Sequence, residues 1–405
     1  IYHHGTDELK NIYLEKLVSG EWAGTMNLTE SQAGSDLGTI KTMATPQDDG
    51  SFKLRGQKIF ITYGEHDFTE NIIHLVLART PDAPDGTRGL SLFLVPKFLV
   101  NDDGTLGARN DVYCVGVEHK LGIHASPTCT MQYGDNDGAT GYLIGDLHKG
   151  LSCMFTMMNN ARLSVGLQGV AIGDRAYQKA DRFAAERVQG GKAIQQYPDV
   201  DRMLRTMRVL TQTGRMMAYN AVHHVSLQAQ GDETAGGVAD VLMPIVKSWC
   251  TDRGAEVASL GVQVHGGMGF IEESGAAQYY RDARILPIYE GTNGIQSIDL
   301  IGRKLIRDDG AQMLAYLQRW QKSVDELACP KAKQAYGAAL DDMEDVSRLI
   351  LAAGLEKSLG VSHYYLEVAG YVLAGCFLEQ ALFKSGENDK ERKADAEFYR
   401  IHILP

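Results

Sequence analysis

Several functional classes are ruled out by what the chain lacks. It has 405 residues and six cysteines, Cys114, Cys129, Cys153, Cys250, Cys329 and Cys376, none of them in a C-x-x-C pair. This spacing gives neither a zinc ribbon nor a disulfide framework. Isolated, mostly apolar-flanked cysteines fit a reducing compartment, so a cytoplasmic location is expected. The twelve histidines include no H-E-x-x-H, and no metal site is expected. No apolar run approaches the length of a membrane span, and there is no secretory signal. Positive charge is in deficit: 40 Lys and Arg stand against 51 Asp and Glu, a net charge of −11. Such a chain has no general attraction for nucleic acid or anionic lipid, so neither is expected as a partner. No repeat of solenoid period is visible. The first residue is Ile1 and the last five are apolar Ile401 to Pro405, so both ends look cut and a fragment of a longer protein is expected.

What is present changes character along the chain. Thr6 to Leu17 has helical spacing, with Thr6 as cap and Gly20 as stop. From Glu21 the apolar runs shorten and turn residues crowd in. Thr25–Leu28, Phe52–Thr62, Ile72–Ala78, Leu90–Val95, Val112–Val117 and Thr128–Tyr133 read as strands, separated by turns such as Asp48-Asp49-Gly50. Without alternating helices this indicates a compact all-β domain and not a Rossmann fold. From Gly150 four long helical patterns follow in series, which indicates a bundle. Beyond Asp308-Asp309-Gly310 further helical patterns, over Met313–Leu327, Gly337–Leu359 and Val361–Phe383, read as an appended, mildly acidic unit. The expected fold is therefore α+β, in four parts: residues 1–20 as the end of an amino-terminal helical domain, 21–148 as a β-barrel-like middle domain, 149–309 as a four-helix bundle, and 310–405 as an additional helical unit.

Five stretches could carry chemistry. In Arg281 to Gln296, read RDARILPIYEGTNGIQ, the single carboxylate Glu290 follows apolar residues and precedes a flexible Gly291. Loss of hydration there would raise its pKa and make it a general base for a weakly acidic C–H. A carboxylate at a helix start is the other reading. The loop LTESQAGSD, Leu28 to Asp36, offers hydroxyls and backbone N–H groups next to a strand; it is also an ordinary turn. In KIFITYG, strand alternation puts Phe60 and Thr62 on one face, where a ring and a hydroxyl could meet a heteroaromatic group. Arg162 interrupts an apolar, small-residue helix, and its partner is either an internal carboxylate or a ligand. QVHGGMG, Gln263 to Gly269, allows close backbone approach but lacks the strand and spacing of a dinucleotide fingerprint. His265 there reads as a packing or hydrogen-bonding residue.

The order of these stretches is more specific than any one of them. LTE-x-x-AGSD, then K-x-F-I-T, an arginine on a long helix, Q-x-x-GG-x-G and RDARI-x-x-IYEGT-x-x-IQ together resemble the acyl-CoA dehydrogenase family, from about Gly5 to Lys304. The resemblance implies bound FAD and an acyl-CoA thioester substrate. It makes Glu290 the base that removes the α-proton while a β-hydride passes to flavin N5, giving a trans-2-enoyl-CoA. It further implies cofactor contacts at Thr29, Ser35, Phe60, Thr62, Arg187, Gln263, Gly266, Gly267 and Thr292, and acyl-CoA contacts at Ser35, Asn159, Arg162 and Gly291. Arg187, Gln263 and the glycines would serve across a subunit interface, in a homodimer or homotetramer. Electron-transfer flavoprotein is the implied acceptor; an acyl-CoA oxidase using oxygen and a non-enzymatic binding protein on the same fold are the alternatives. Three positions depart from the family's pattern: RVQGG follows where R-x-T-F-G is frequent, Gly294 replaces a frequent glutamine, and Asn159 a frequent aspartate. The family's amino-terminal helical domain would precede Ile1. The long carboxy-terminal part and Ile194 to Leu204 resemble the larger bacterial members, which include methylthiopropanoyl-CoA enzymes.

Overall fold

The computed structural model describes residues 1–101, 103–385 and 389–404. Two compact units are present: Ile1–Met158, and the chain from Asn159 onward.

The first unit begins with α1 (Asp7–Leu9), which continues through a π-turn, Lys10–Leu14, into α2 (Glu15–Ser19). The Thr6 hydroxyl accepts the Leu9 N–H at the start, and Gly20 ends the run with φ of +82°. Ten strands follow: β1 (Trp22–Asn27), β2 (Met43–Pro46), β3 (Phe52–Thr62), β4 (Asn71–Arg79), β5 (Leu90–Pro96), β6 (Phe98–Val100), β7 (Leu106–Arg109), β8 (Val112–Val117), β9 (Thr128–Tyr133) and β10 (Ala139–Ile144). Strands β6 and β7 form a separate hairpin. The others form one sheet in the order β1-β4-β5-β10-β3-β9-β8, and β2 pairs with both β3 and β4. Through β2 the path β4-β5-β10-β3 returns to β4, which makes the barrel-like closure. All six expected strands are found. The missed ones are short or rich in Thr, Gly and Pro, as in β2 (MATP), and too weakly apolar for periodicity to reveal.

Strands β4 and β5 are buried on both faces. Ile73, Leu77, Leu92 and Leu94 join a cluster with Leu9, Tyr13 and Trp22, whereas Val76, Ala78, Phe93 and Val95 join a second with Leu54, Ile61 and Tyr133. Alternate residues thus serve opposite cores, and the strands read as continuous apolar runs. Residues 1–20 belong to the first of these cores. Leu9 and Tyr13 pack there with Trp22, Ile73 and Leu77.

A buried ion pair fixes the loop after β1. Lys58 Nζ donates to Glu30 Oε1 and to the Leu28 carbonyl, at 2.8 and 2.9 Å. Glu30 also accepts from the Thr42 hydroxyl and from the amides of Lys41 and Thr42. Burial raises the Glu30 carboxyl, but Lys58 and these bonds outweigh it and hold it down to about 2. Burial pushes Lys58 down to about 8 against the pull of Glu30, so both are charged at neutral pH.

The second unit is helical. The helix α3 (Gly150–Glu186) crosses the unit boundary at Met158 and ends at a two-strand ribbon, Val188–Gln189 with Lys192–Ala193. Next come α4 (Pro198–Ala229), α5 (Glu233–His265), α6 (Ala276–Ala283), α7 (Asn293–Ile301), α8 (Ala311–Asp325), α9 (Pro330–Ala353), α10 (Leu355–Ser358), α11 (Ser362–Ser385) and α12 (Lys390–His402). Residues after 310 do not form a core of their own. Trp320, Tyr336, Leu373 and Tyr399 share one apolar cluster with Leu210, Ile245 and Trp249 of α4 and α5. The parts expected as bundle and appended unit share this core, because α11 presents apolar residues almost all round. For the same reason the expectation about apolar runs needs correction: Leu355–Ser385 is long and apolar enough to cross a membrane, though most of that stretch is buried inside the unit.

Replacing Lys58 with Met should strand Glu30 in the core and destabilise the chain by about 3–5 kcal/mol. Urea unfolding at neutral pH measures this; an unchanged midpoint would contradict it.

Candidate functional site

Glu290 lies between α6 and α7, in a run of tight turns that follows from the local sequence. Pro287 fixes its own φ and cannot donate, while its carbonyl accepts the Asn293 amide at 3.0 Å. The Ile288 and Tyr289 amides donate to the Ile285 carbonyl at 2.9 and 3.1 Å. Thr292 then caps α7, its hydroxyl accepting the Ile295 amide at 3.2 Å. Between these anchors the chain turns through two successive left-handed residues, Glu290 with φ of +55° and Gly291 with φ of +83°. Gly291 needs both its backbone freedom and its missing side chain, since an added Cβ would come 2.9 Å from Gln296 Nε2. Glu290 has no such freedom, and a left-handed residue with a side chain costs about 1–3 kcal/mol, which the surroundings must offset.

The offset comes from α5 and α7. Lys247 Nζ, fully buried on α5, donates to the Gly291 carbonyl and to Asn293 Oδ1, both at 2.8 Å. Gln296 Nε2 donates to the Gly291 carbonyl at 3.1 Å and to the Glu290 carbonyl at 3.4 Å. Asn293 Nδ2 donates to Thr251 Oγ1 at 3.1 Å. On the other side, the Tyr289 hydroxyl is bonded to Gln168 of α3. Burial raises the Glu290 carboxyl above its ordinary 4.5; the charges of Lys247 and Arg162 oppose this without cancelling it. The Glu290 amide N–H has no hydrogen-bond acceptor among the described residues. A carboxylate short of hydration and an uncommitted backbone donor thus occur in one residue.

Arg162 is buried and bonded to Asp299 Oδ2 at 3.0 Å, which is the internal-carboxylate alternative. It also lies against the turn, with Nη2 3.7 Å from where a Gly291 Cβ would be. Asn159 is exposed one turn earlier on α3.

Arg187, Gln263, Gly266 and Gly267 form a second group. All four are exposed. His265 stacks on Phe183 with ring centroids 4.4 Å apart, which brings the ends of α5 and α3 together; His265 Nδ1 lies 2.7 Å from the Gly261 carbonyl, in keeping with a packing role. The glycine pair is 19 residues beyond Lys247 on a continuous helical path, or about 28 Å of helix rise. The second unit therefore holds two separate groups of expected site residues.

In the first unit, Phe60 and Thr62 are both exposed, with Phe60 at 58% and the intervening Ile61 buried. Both are open to solvent, but β3 is bulged here and Phe60 has φ of +61°, so regular alternation does not hold at this point. Thr29 is half-buried and Ser35 exposed. The Thr29 carbonyl accepts the Ile59 amide at 2.9 Å, tying the loop to the strand that carries Phe60. The residues here fit the flavin that the sequence resemblance implies on two counts. The hydroxyls of Thr29, Ser35 and Thr62 make no side-chain hydrogen bond among the described residues, and the backbone at Gly266 and Gly267 is open, with nothing within 4 Å of an added Cβ.

Sequence reading missed Lys247, Gln296, Asn293 and the Lys58–Glu30 pair. Lys247 could have been found by the reasoning that picked out Arg162, a lone charge in an apolar helix (PIVKSW). Gln296 and Asn293 read as ordinary first-turn polar residues.

Two family models match the chain: "Acyl-CoA dehydrogenase, middle domain" over residues 25–135 and "Acyl-CoA dehydrogenase, C-terminal domain" over residues 148–306. Among curated proteins, 3-methylmercaptopropionyl-CoA dehydrogenase of Ruegeria pomeroyi is 48% identical, over 98% of this chain and 71% of that protein. A butyryl-CoA dehydrogenase of Syntrophomonas wolfei is 38% identical, over 100% of this chain and 73% of its own length. Among solved structures, an acyl-CoA dehydrogenase complexed with FAD from Bacillus anthracis superposes with a TM-score of 0.81 at 24% identity, covering 98% of this chain and 69% of that one. With a desolvated carboxylate on a strained turn in the matched carboxy-terminal domain, and a strand-borne ring and hydroxyl in the matched middle domain, the chain belongs to the acyl-CoA dehydrogenase family.

Proposed function

We propose that this chain dehydrogenates an acyl-CoA thioester between its α and β carbons, with Glu290 as the base that takes the α-proton. The observation that carries the reading is the pairing, in one residue, of a carboxylate raised by burial and an uncommitted amide N–H. An α C–H is too weakly acidic for a carboxylate in water. In this reading the Glu290 amide donates to the thioester carbonyl oxygen, which stabilises enolate-like charge as the proton leaves. Burial raises the basicity of the carboxylate at the same time. Bound FAD supplies the acceptor for the β-hydride. The first unit's Phe60, Thr62, Thr29 and Ser35 are its proposed ring-side contacts, and Arg187, Gln263, Gly266 and Gly267 its proposed pyrophosphate and adenosine contacts, shared with a second copy of the chain. Thr292 keeps its hydroxyl proton as a donor beyond its capping role.

The substrate we propose is a short acyl-CoA of the 3-methylmercaptopropionyl type, supported by the 48% identity to the Ruegeria enzyme. The proposed acceptor is electron-transfer flavoprotein. Rapid oxygen consumption with acyl-CoA and no added acceptor would instead favour the oxidase.

Anaerobic bleaching of the FAD-loaded protein against a panel of acyl-CoAs tests the reading. Glu290→Gln should retain FAD and bleach about 10²–10⁴-fold more slowly, the range for loss of a general base. A parental rate would overturn the assignment. The raised Glu290 carboxyl also makes a stability prediction. Ionising it costs the folded state, so its contribution is intact below the ordinary value of 4.5 and is lost as pH rises through the raised value. Glu290→Gln should therefore melt above the parent at about pH 7.5, and the gap should close by about pH 4. A gap that widened on acidification would contradict this.

A further inference from the structure

A buried ammonium needs compensation of several kcal/mol, and Lys247 has an unusual way of obtaining it. No carboxylate lies within ion-pair distance among the described residues, although it is one of the largest fully buried side chains. Its two hydrogen bonds go to neutral oxygens, the Gly291 carbonyl and Asn293 Oδ1. Burial lowers its proton affinity and Arg162 adds to this, while Asp252 and Glu290 oppose the fall without cancelling it. The Gly291 carbonyl belongs to the peptide between Gly291 and Thr292, so its direction sets ψ of Gly291, the second of the two left-handed residues. Asn293 Oδ1 opens α7, so one ammonium holds both the turn and the helix after it.

We propose that Lys247 is the positioning residue for the base: its ammonium clamps the Gly291 carbonyl and Asn293, holding Glu290 in the left-handed turn that aims its carboxylate and its amide. This rests on the reading of Glu290 as base. Lys247 touches no reacting atom; it acts through the backbone. A packing role alone would be filled by an apolar side chain of similar length, such as Met. Positioning requires the donors.

The test is Lys247→Met in the FAD-loaded protein. Its limiting bleaching rate should fall about 10–100-fold, since small misplacements of reacting groups have effects of this order. FAD content should match the parent, and the acyl-CoA concentration for half-maximal rate should stay within about threefold, because the loss lies in geometry and not in uniform binding. A readout independent of activity is hydrogen exchange in the cofactor-free protein. Amides of residues 287–296 should exchange faster in the variant while peptides from the middle of α5 keep their protection. A parental limiting rate, or exchange that rises equally across α5, would overturn the proposal. If Lys247→Met does not fold, Asn293→Ala cuts the same clamp at its second acceptor; it should show the same selective exchange and a smaller rate loss, and parental behaviour in both would overturn the proposal. The parent and Glu290→Gln in the same assay separate the two readings. If the parent bleaches and Glu290→Gln does not, a normal Lys247→Met rate removes only the clamp.

Discussion

Two consecutive left-handed residues hold the site together, and one of them carries a side chain. Glu290 is in a conformation that glycine adopts freely and glutamate does not. The strain persists because the surrounding bonds over-determine it: Pro287 and Thr292 close the turn, Gln296 and Lys247 take the Gly291 carbonyl, and Tyr289 is held by Gln168. Gln168, Lys247 and Gln296 come from α3, α5 and α7, helices whose place is set by the core of the second unit. The long apolar α5 is buried along most of its length, so that core also keeps Lys247 away from water. The stability of the helical unit is thus the source of the precision at Glu290.

The electrostatics have the same logic. Burial raises the carboxyl, and two cations nearby limit the rise. Arg162 is itself tied to Asp299, so its charge is partly spent before it reaches Glu290. A free arginine at this place would hold the carboxylate ionised but weakly basic. With Arg162 paired and Lys247 bonded to neutral acceptors, Glu290 keeps a raised proton affinity beside two positive charges. The first unit uses the opposite arrangement. There Lys58 and Glu30 satisfy each other directly, and the carboxyl is driven down to about 2. One pair fixes a loop; the other group of charges is left unbalanced, as a proton-transfer site requires.

Much of this was legible in the sequence, but unevenly. Strands with clear apolar alternation, such as Phe52–Thr62 and Thr128–Tyr133, were placed at their observed bounds. The long helices α3, α4 and α5 were found because their periodicity extends over many turns, whereas the fourth one expected, from Asn293, is the nine-residue α7 followed by a π-turn over Gly302–Ile306. What periodicity could not show was which apolar faces meet. Leu373 and Tyr399 could have packed on each other, and only the folded chain shows them sharing a core with Trp249. Glu290 was singled out by its apolar neighbours, and Gly291 by its backbone freedom. The left-handed turn at Glu290 was not, since no local signal marks a non-glycine residue for that conformation. Lys247 was missed because its partners lie 44 and 46 residues away.

The central claim is that burial at this turn gives Glu290 a raised proton affinity. It is tested most directly by infrared difference titration of the carboxyl, using 13C-labelled glutamate and subtracting the Glu290→Gln spectrum. The account predicts a midpoint for Glu290 above the ordinary carboxylate value of 4.5. A midpoint at or below that value would mean that Lys247 and Arg162 overcome burial, and the reading of this residue as the base would be contradicted.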